Sequence, residues 1–446
     1  MKNRIAIILS LNLLFSTVTL AQGWIPLGEN MLPENYFTWA LSAVDDQTVW
    51  SLNFSAQHTD PILIGTRDAG ETWSVIDLSS FPVFPMDLHA TSADTLWMPT
   101  LHHSGNTYLY FSENAGTDWE VKHIYQGNFQ AIGPTIKFGD KDRGIMIDPD
   151  VAKAFYTLDG GLTWEATTAF PILEPDESWD IINPSNWMDV QGDTIWWGTS
   201  LNIHRSTDNG ITWEVFENGF NGDYQTQSLC FNESGTGLMI TNVSSEVILP
   251  ETLIHKSNDG GQSWTAQPVV KRPLEGITDV PGMEQTFVAV GGILKEFIPN
   301  LNLEYVSLCT MDGGETWHRI GEFPLNAVDF VSNSVGWAGR LSYYDYGSNP
   351  ALFKWEGPFL SVATKEHPVI TPKVFPNPVE NTLQVRFSKN RQGVASLKDS
   401  SGRTMRQKVF HSQELEFSNL DHLPSGVYIL ELKGKDYIGT EKVVKQ

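Results

Sequence analysis

The sequence predicts an all-β protein, a seven-bladed β-propeller followed by a small β-sandwich of immunoglobulin-like type. Three observations predict it. An octapeptide recurs six times, a turn-plus-strand landmark alternates with it, and both stop near residue 358, where the charge of the chain changes sign.

The octapeptides are Thr66-Arg-Asp-Ala-Gly-Glu-Thr-Trp73, Ser112-Glu-Asn-Ala-Gly-Thr-Asp-Trp119 and Thr157-Leu-Asp-Gly-Gly-Leu-Thr-Trp164, then Ser206-Thr-Asp-Asn-Gly-Ile-Thr-Trp213, Ser257-Asn-Asp-Gly-Gly-Gln-Ser-Trp264 and Thr310-Met-Asp-Gly-Gly-Glu-Thr-Trp317. Their third positions are Asp68, Asn114, Asp159, Asp208, Asp259 and Asp312. An Asp or Asn there accepts hydrogen bonds from N–H groups just downstream and folds the chain over. The glycine two places on permits a positive φ. The closing tryptophans, Trp73, Trp119, Trp164, Trp213, Trp264 and Trp317, start the next strand and cover an apolar face. Each octapeptide is therefore expected to be a self-bonded, structural hairpin.

The second landmark is a turn running into an apolar strand. Asp46-Gln-Thr-Val-Trp50, Ala93-Asp-Thr-Leu-Trp97, Gly192-Asp-Thr-Ile-Trp196 and Asn333-Ser-Val-Gly-Trp337 are examples, and there are seven in all. One octapeptide and one landmark per period make a four-stranded meander, which is a propeller blade. The seventh landmark lacks an octapeptide. Trp24-Ile25-Pro26-Leu27 looks like the strand that follows one, so it is expected to pair into the last blade and close the ring.

Composition agrees. Of 446 residues, 16 are Trp, 37 Gly and 24 Pro, a profile of pleated faces joined by many turns. The net charge of -24 is unevenly spread: residues 22–364 carry 14 basic against 44 acidic side chains, and residues 365–446 carry 13 against 9. So acidic a body repels nucleic acid and anionic lipid. It serves solubility, with Ca²⁺ binding as the alternative and no other cofactor indicated. Residues 1–21 have the form of an export leader, with Lys2 and Arg4 before the apolar run Ile5 to Phe15 and a small residue, Ala21, before the cut. No stretch is long and apolar enough to span a membrane. Cys230 and Cys309 are expected as two buried free thiols.

The octapeptides resemble the Asp boxes, or BNR repeats, of sialidases, xyloglucanases, sortilin-type receptors and photosystem assembly factors. The resemblance covers roughly residues 24–357 and implies a propeller whose boxes lie between the third and fourth strands of each blade, on the rim away from the catalytic face. It does not imply one function. A sialidase grips a carboxylate with an arginine triad. Here the Arg-Ile-Pro motif is replaced by Trp24-Ile25-Pro26, and the propeller holds only Arg67, Arg143, Arg205, Arg272, Arg319 and Arg340. Glycoside hydrolysis needs only paired carboxylates, but no spacing singles out a pair. His102-His103 sit adjacent and so point apart on a strand, which disfavours a shared metal. Two aromatic segments are candidate ligand loops: Trp179 to Trp187, and Tyr343, Tyr344 and Tyr346.

Residues 358–372 have the form of a linker. After it comes Val374-Phe-Pro376-Asn377-Pro378, then the alternating strand Thr382 to Phe387, then Leu423-Pro-Ser-Gly426-Val-Tyr428-Ile-Leu430 and a basic last strand. These segments resemble the C-terminal sorting domain of the type IX (Por) secretion system, over residues 373–446. The resemblance implies the type IX machinery as partner and passage through the periplasm to the outer surface or medium of a Gram-negative bacterium. The whole chain is expected to be a secreted or cell-surface binding or adhesion propeller for a glycan or a protein. A secreted glycoside hydrolase is the alternative.

Overall fold

The computed structural model describes residues 23–359 and 372–446, apart from 56, 103, 127–132, 149–150, 168–169, 171–183, 220–224, 243–251, 271–272, 293–304, 342–348, 400–403 and 435–436. The chain divides into two compact units, Met1–Ser361 and Val362–Gln446. Among the described residues, no helix is long and apolar enough to cross a membrane.

The first unit is a β-propeller. Its described residues form seven antiparallel sheets, numbered here in chain order. Sheet 1 comprises Tyr36–Ala43, Val49–Ser55, Ile62–Thr66 and Ser74–Asp77. Sheet 2 has a broken first strand, Phe84–Pro85 and His89–Ala90, then Leu96–Leu101, Asn106–Ser112 and Glu120–Gln126. Sheet 3 is Thr135–Phe138, Gly144–Asp148, Lys153–Thr157 and Glu165–Ala166. Sheet 4 is Met188–Gln191, Thr194–Gly198, Asn202–Ser206 and Glu214–Glu217. Sheet 5 is Gln225–Phe231, Gly237–Asn242, Thr252–Ser257 and Thr265–Ala266. Sheet 6 is Gly276–Asp279, Phe287–Gly291, Val306–Thr310 and His318–Gly321. Sheet 7 takes Leu325–Phe330, Val335–Arg340 and Leu352–Glu356 from the end of the unit, and Gly23–Leu27 from its start.

The core lies between sheets rather than within one. Each interface has its own apolar cluster, because strands buried on both faces carry apolar side chains on both. Trp97, Leu109 and Phe111 of sheet 2 meet Ile136, Phe138 and Met146 of sheet 3. Trp196 and Ile203 of sheet 4 meet Leu229 and Phe231 of sheet 5. Val49 of sheet 1 meets Trp337 and Leu352 of sheet 7. The first strands of the sheets pack in a closed cycle, with sheet 7 against sheet 1. Cys230 belongs to the interface of sheets 5 and 6, and Cys309 to that of sheets 6 and 7. Both thiols are free and buried, held apart by the sheet between them.

Closure runs through the N-terminal strand. Gly23–Leu27 pairs antiparallel with Leu352–Glu356, placing Trp24 opposite Trp355. Trp24 is buried, donates Nε1–H to Ser307 Oγ at 3.0 Å and packs edge-on to Trp355 at 5.5 Å. This strand fills the fourth place of sheet 7, which the other sheets fill by continuing from their third strand. Sheet 7 therefore has no hairpin there, and that accounts for its missing octapeptide.

The second unit consists of Lys373–Phe375, Leu383–Lys398, Thr404–Phe417, Gly426–Gly434 and Tyr437–Lys445. The long strand Leu383–Lys398 shifts register between Arg386 and Arg391. Its first half pairs with Lys373–Phe375, its second half with Gly426–Gly434, and both halves with Thr404–Phe417. Leu383 and Val385 from one half and Ala395 and Leu397 from the other bury into a single core with Leu430 and Leu432.

Trp24→Ala should cost ~3–5 kcal/mol, since it removes a buried indole at the closure. The measurement is a thermal melt of the full chain, and an unchanged melting temperature would show that this strand does not hold the ring.

Candidate functional site

The octapeptides form one hairpin six times over, each joining the third and fourth strands of a sheet. Thr66 Oγ1 donates to Asp68 Oδ1 at 2.8 Å and accepts the N–H of Gly70 at 2.8 Å. Asp68 Oδ1 accepts the N–H of Thr72, and Oδ2 accepts its hydroxyl. The same bonds recur around Asp159, Asp208, Asp259 and Asp312. The second copy inverts one of them. Asn114 Nδ2 donates to Asp118 Oδ2 at 2.9 Å, so an amide at the third place goes with a carboxylate at the seventh. The hydroxyl bonds from Thr72 and Thr163 hold Asp68 and Asp159 below the usual carboxylate range.

Each hairpin is also tied down on two sides. Its fourth N–H donates to the first turn of its own sheet, as Ala69 does to Gln47 O and Asn209 to Asp193 O. Its glycine lies against the preceding sheet. Gly161 has φ +82°, and a Cβ there would sit 2.1 Å from the Trp97 ring. The closing tryptophans pack in the same direction, Trp119 against the cluster of sheets 1 and 2, Trp164 against that of sheets 2 and 3, Trp213 and Trp264 against the next two, Trp317 against that of sheets 5 and 6, and Trp73 against that of sheets 7 and 1. These side chains are occupied with holding the fold.

The aromatic segments fare differently. Trp187 is buried between sheets 3 and 4 with Ile147, Met188 and Trp197, so its ring packs the core and is closed to a ligand. The expectation of a ligand-facing Trp187 is thereby corrected: the run Trp187-Met188 enters a first strand instead of looping out. Trp179, Tyr343, Tyr344 and Tyr346 lie outside the described residues.

The sequence reading missed the centre of the ring. The first strands enclose a cavity of about 240 Å³. One residue per sheet marks a common level in its wall: Ser42, His89, Lys137, Asp189, Cys230, Thr278 and Asp329. Register defines the level, because each stands opposite the landmark residue of the second strand, as Ser42 does Trp50, His89 Trp97, Asp189 Trp196 and Asp329 Trp337. Pairing each landmark tryptophan with the residue across its hairpin would have found four of the seven positions from sequence.

Several of these groups serve the backbone. An innermost strand has no neighbour on its inner edge, so its N–H groups need other acceptors. Ser42 Oγ accepts the N–H of Ala90 at 3.0 Å, Asp189 Oδ2 that of Phe231 at 2.6 Å, and Asp329 Oδ2 that of Ala43 at 3.1 Å. Asp87 accepts the Thr135 hydroxyl at 2.6 Å and the N–H of Ile136 at 2.9 Å. Every one of these bonds crosses to the next sheet.

Burial sets the electrostatics. It raises the carboxyls of Asp189 and Asp329 and pushes Asp87 up to about 6. Asp279, next to Thr278 and also lining the cavity, is pushed up to about 8 by burial and then by the charges of Asp189, Asp329 and Glu233. Burial pushes His89 down to about 3. His89, Asp189, Asp279 and Asp329 line the cavity and are half-buried, whereas Asp87 is fully buried beside it. Among the described residues the Lys137 ammonium makes no hydrogen bond or ion pair, and no other residue hydrogen-bonds the carboxyl of Asp279. No group of three or more His, Cys, Asp or Glu among the described residues is placed to hold a metal ion.

In the second unit, Asn377 bridges to the last strand. Its Nδ2 donates to Lys442 O and its Oδ1 accepts the N–H of Val444, both at 2.8 Å. Pro376 and Pro378 flank it, each following a cis bond. Gly426 opens the strand that pairs with Lys445, and buried Tyr428 donates its hydroxyl to Pro424 O at 2.9 Å.

Residues 373–446 match the family described as secretion system C-terminal sorting domain. The chain is thus exported by the type IX system to the cell surface or extracellular space. No curated protein matches it. Among solved structures the chain is similar to the GH74 xyloglucanase from Xanthomonas campestris, at 11% identity and TM-score 0.52, over 82% of this chain and 59% of that one. It is also similar to YCF48 bound to D1 peptide, at 16% identity and TM-score 0.48, over 75% and 95% of the two chains. A third is an ulvan lyase of polysaccharide lyase family PL25, at 11% identity and TM-score 0.43, over 76% and 94%. The xyloglucanase similarity carries the fold, a β-propeller, and nothing finer.

Two predictions follow from these bonds. Asp208→Ala should lower stability by ~1–3 kcal/mol, because it strands the N–H and hydroxyl of Thr212. Thermal melts with binding assays check it, and lost binding with unchanged melting would assign the box a ligand role. Asp279 binds its proton more tightly folded than unfolded, so its effect on stability falls away as pH rises from about 4 to about 8 and is level above that. Asp279→Asn should flatten that slope and melt a few degrees above wild type at pH 8, and parallel melts across pH 4–9 test this.

Proposed function

We propose that the protein is a non-catalytic binding or adhesion propeller for a glycan or protein, seven-bladed and of Asp-box type, delivered to the cell exterior by its sorting domain. The observation that carries the reading is the employment of the carboxylates on the innermost edge of the ring. Asp87, Asp189 and Asp329 accept main-chain N–H groups from adjoining sheets, and a carboxylate fixed in that role is poorly placed to shuttle protons or attack a substrate. The octapeptide geometry supports the Asp-box assignment, and the seven sheets in a closed cycle support seven blades.

One observation favours glycoside hydrolysis as a second reading. Asp279 is held in its protonated range at neutral pH beside ionisable Asp189 and Asp329, a combination found in general acids. The deciding experiment incubates the full chain with a polysaccharide panel and measures reducing ends, alongside binding to arrayed glycans and extracellular proteins. Binding without turnover supports the proposal. Turnover that disappears in Asp279→Asn replaces it with the hydrolase.

The leader reading of residues 1–21 and the linker reading of 358–372 complete the proposal. Truncation after Thr371 in a type IX-competent host should leave a folded propeller in the periplasm. Cell fractionation and a melt of the truncated protein read the outcome. Its appearance outside the cell would refute the sorting role, and unfolding would refute the domain boundary.

A further inference from the structure

The central cavity holds opposite charges that do not meet. Lys137 on sheet 3 lines the cavity together with Asp189 and Asp329, and its charge acts on both. Yet among the described residues no carboxylate oxygen comes within 4 Å of it. Asp189 and Asp329 are already engaged by main-chain N–H groups, whereas among the described residues no other residue hydrogen-bonds the carboxyl of Asp279 on sheet 6. Sheets 3 and 6 are not neighbours in the cycle, and the space between these two side chains is the cavity itself. Its wall is built for polar contacts, with Ser42, Gln191 and Thr278 alongside the charged groups.

A half-buried ammonium and a half-buried carboxyl that line one cavity without pairing each lack their best partner. A ligand carrying both complementary groups at a short separation would supply both. A volume of about 240 Å³ admits one small molecule and excludes a chain. We propose that the central cavity is a binding site for a zwitterion of amino-acid size, its carboxylate on Lys137 and its ammonium toward Asp279 and Asp189. This rests on the binding reading above and names a ligand class for the cavity. An ammonium beside Asp279 favours the ionised carboxyl, so binding at pH 7 should release a proton.

The test is isothermal titration of the full chain with a panel of free L-amino acids, followed by the N-acetyl and methyl-ester forms of any that bind. At least one free amino acid should bind with a Kd below about 1 mM, and each blocked form should bind at least about tenfold more weakly. Titration in buffers of different ionisation heat should show proton release, lost in Asp279→Asn. Lys137→Met should weaken binding at least about tenfold, and Lys137→Arg should retain most of it. Absence of binding across the panel overturns the proposal, as do equal binding of the blocked forms and wild-type affinity in Lys137→Met. Should Lys137→Met fail to fold, the blocked ligands on wild-type protein decide alone. Glycan or protein capture measured in parallel separates the two readings: capture with an empty cavity refutes only the zwitterion site.

Discussion

A ring of radial sheets leaves the inner edge of every first strand without a strand to pair with. That edge faces the central cavity, and its N–H groups need acceptors there. The structure meets this constraint with side chains that reach from one sheet to the next. Ser42, Asp87, Asp189 and Asp329 each accept an N–H from the following sheet, and Ser228 does the same for Ile277. Buried carboxylates are costly when unpaired, and here each accepts several donors or one short bond that offsets part of the cost. The acidic channel is thus first a consequence of how the ring closes. Only side chains left over from this task, Lys137 and Asp279 among them, are free to act on anything else.

The outer part of each sheet solves a different problem. The third-to-fourth connection must turn tightly and also present a flat face to the preceding sheet. The octapeptide does both, with a third-position side chain that satisfies the turn internally and a glycine that lets the neighbouring sheet approach. Sheet 7 shows the rule by exception. Its fourth strand arrives from the N-terminus, no turn is made, and no octapeptide is found. Apolar contact replaces the hairpin, through Trp24 against Phe330 and Trp355.

What was legible in the sequence follows the range of the interactions. Octapeptide bonds span four residues, so their spacing appears directly in the chain, and the covariation of Asn114 with Asp118 against Asp with Thr or Ser elsewhere is visible once the bonds are known. Ring closure by Trp24 was legible because that strand repeats the apolar pattern found after an octapeptide. The cavity was not, because Lys137, Asp189 and Asp279 lie on different sheets and no local pattern ties them together. Trp187 misled for a related reason: a tryptophan beside acidic residues looks like a loop anchor, while its burial is fixed by partners such as Ile147, forty positions away.

The two units divide the protein's work by chemistry. In the sorting domain, Asn377 uses its side-chain amide as a strand would, pairing with both Lys442 and Val444, so the opening motif serves to hold the last strand. That arrangement says where the protein goes and is indifferent to what it carries. Function beyond export must come from the propeller, where Asp189 and Asp329 at the centre are already spent on closure. A site assembled there from what remains is small, polar and fixed on rigid strands. Rigid charge held at a set separation selects for ligand geometry at little ordering cost, which suits recognition of a small molecule better than processing of a long polymer.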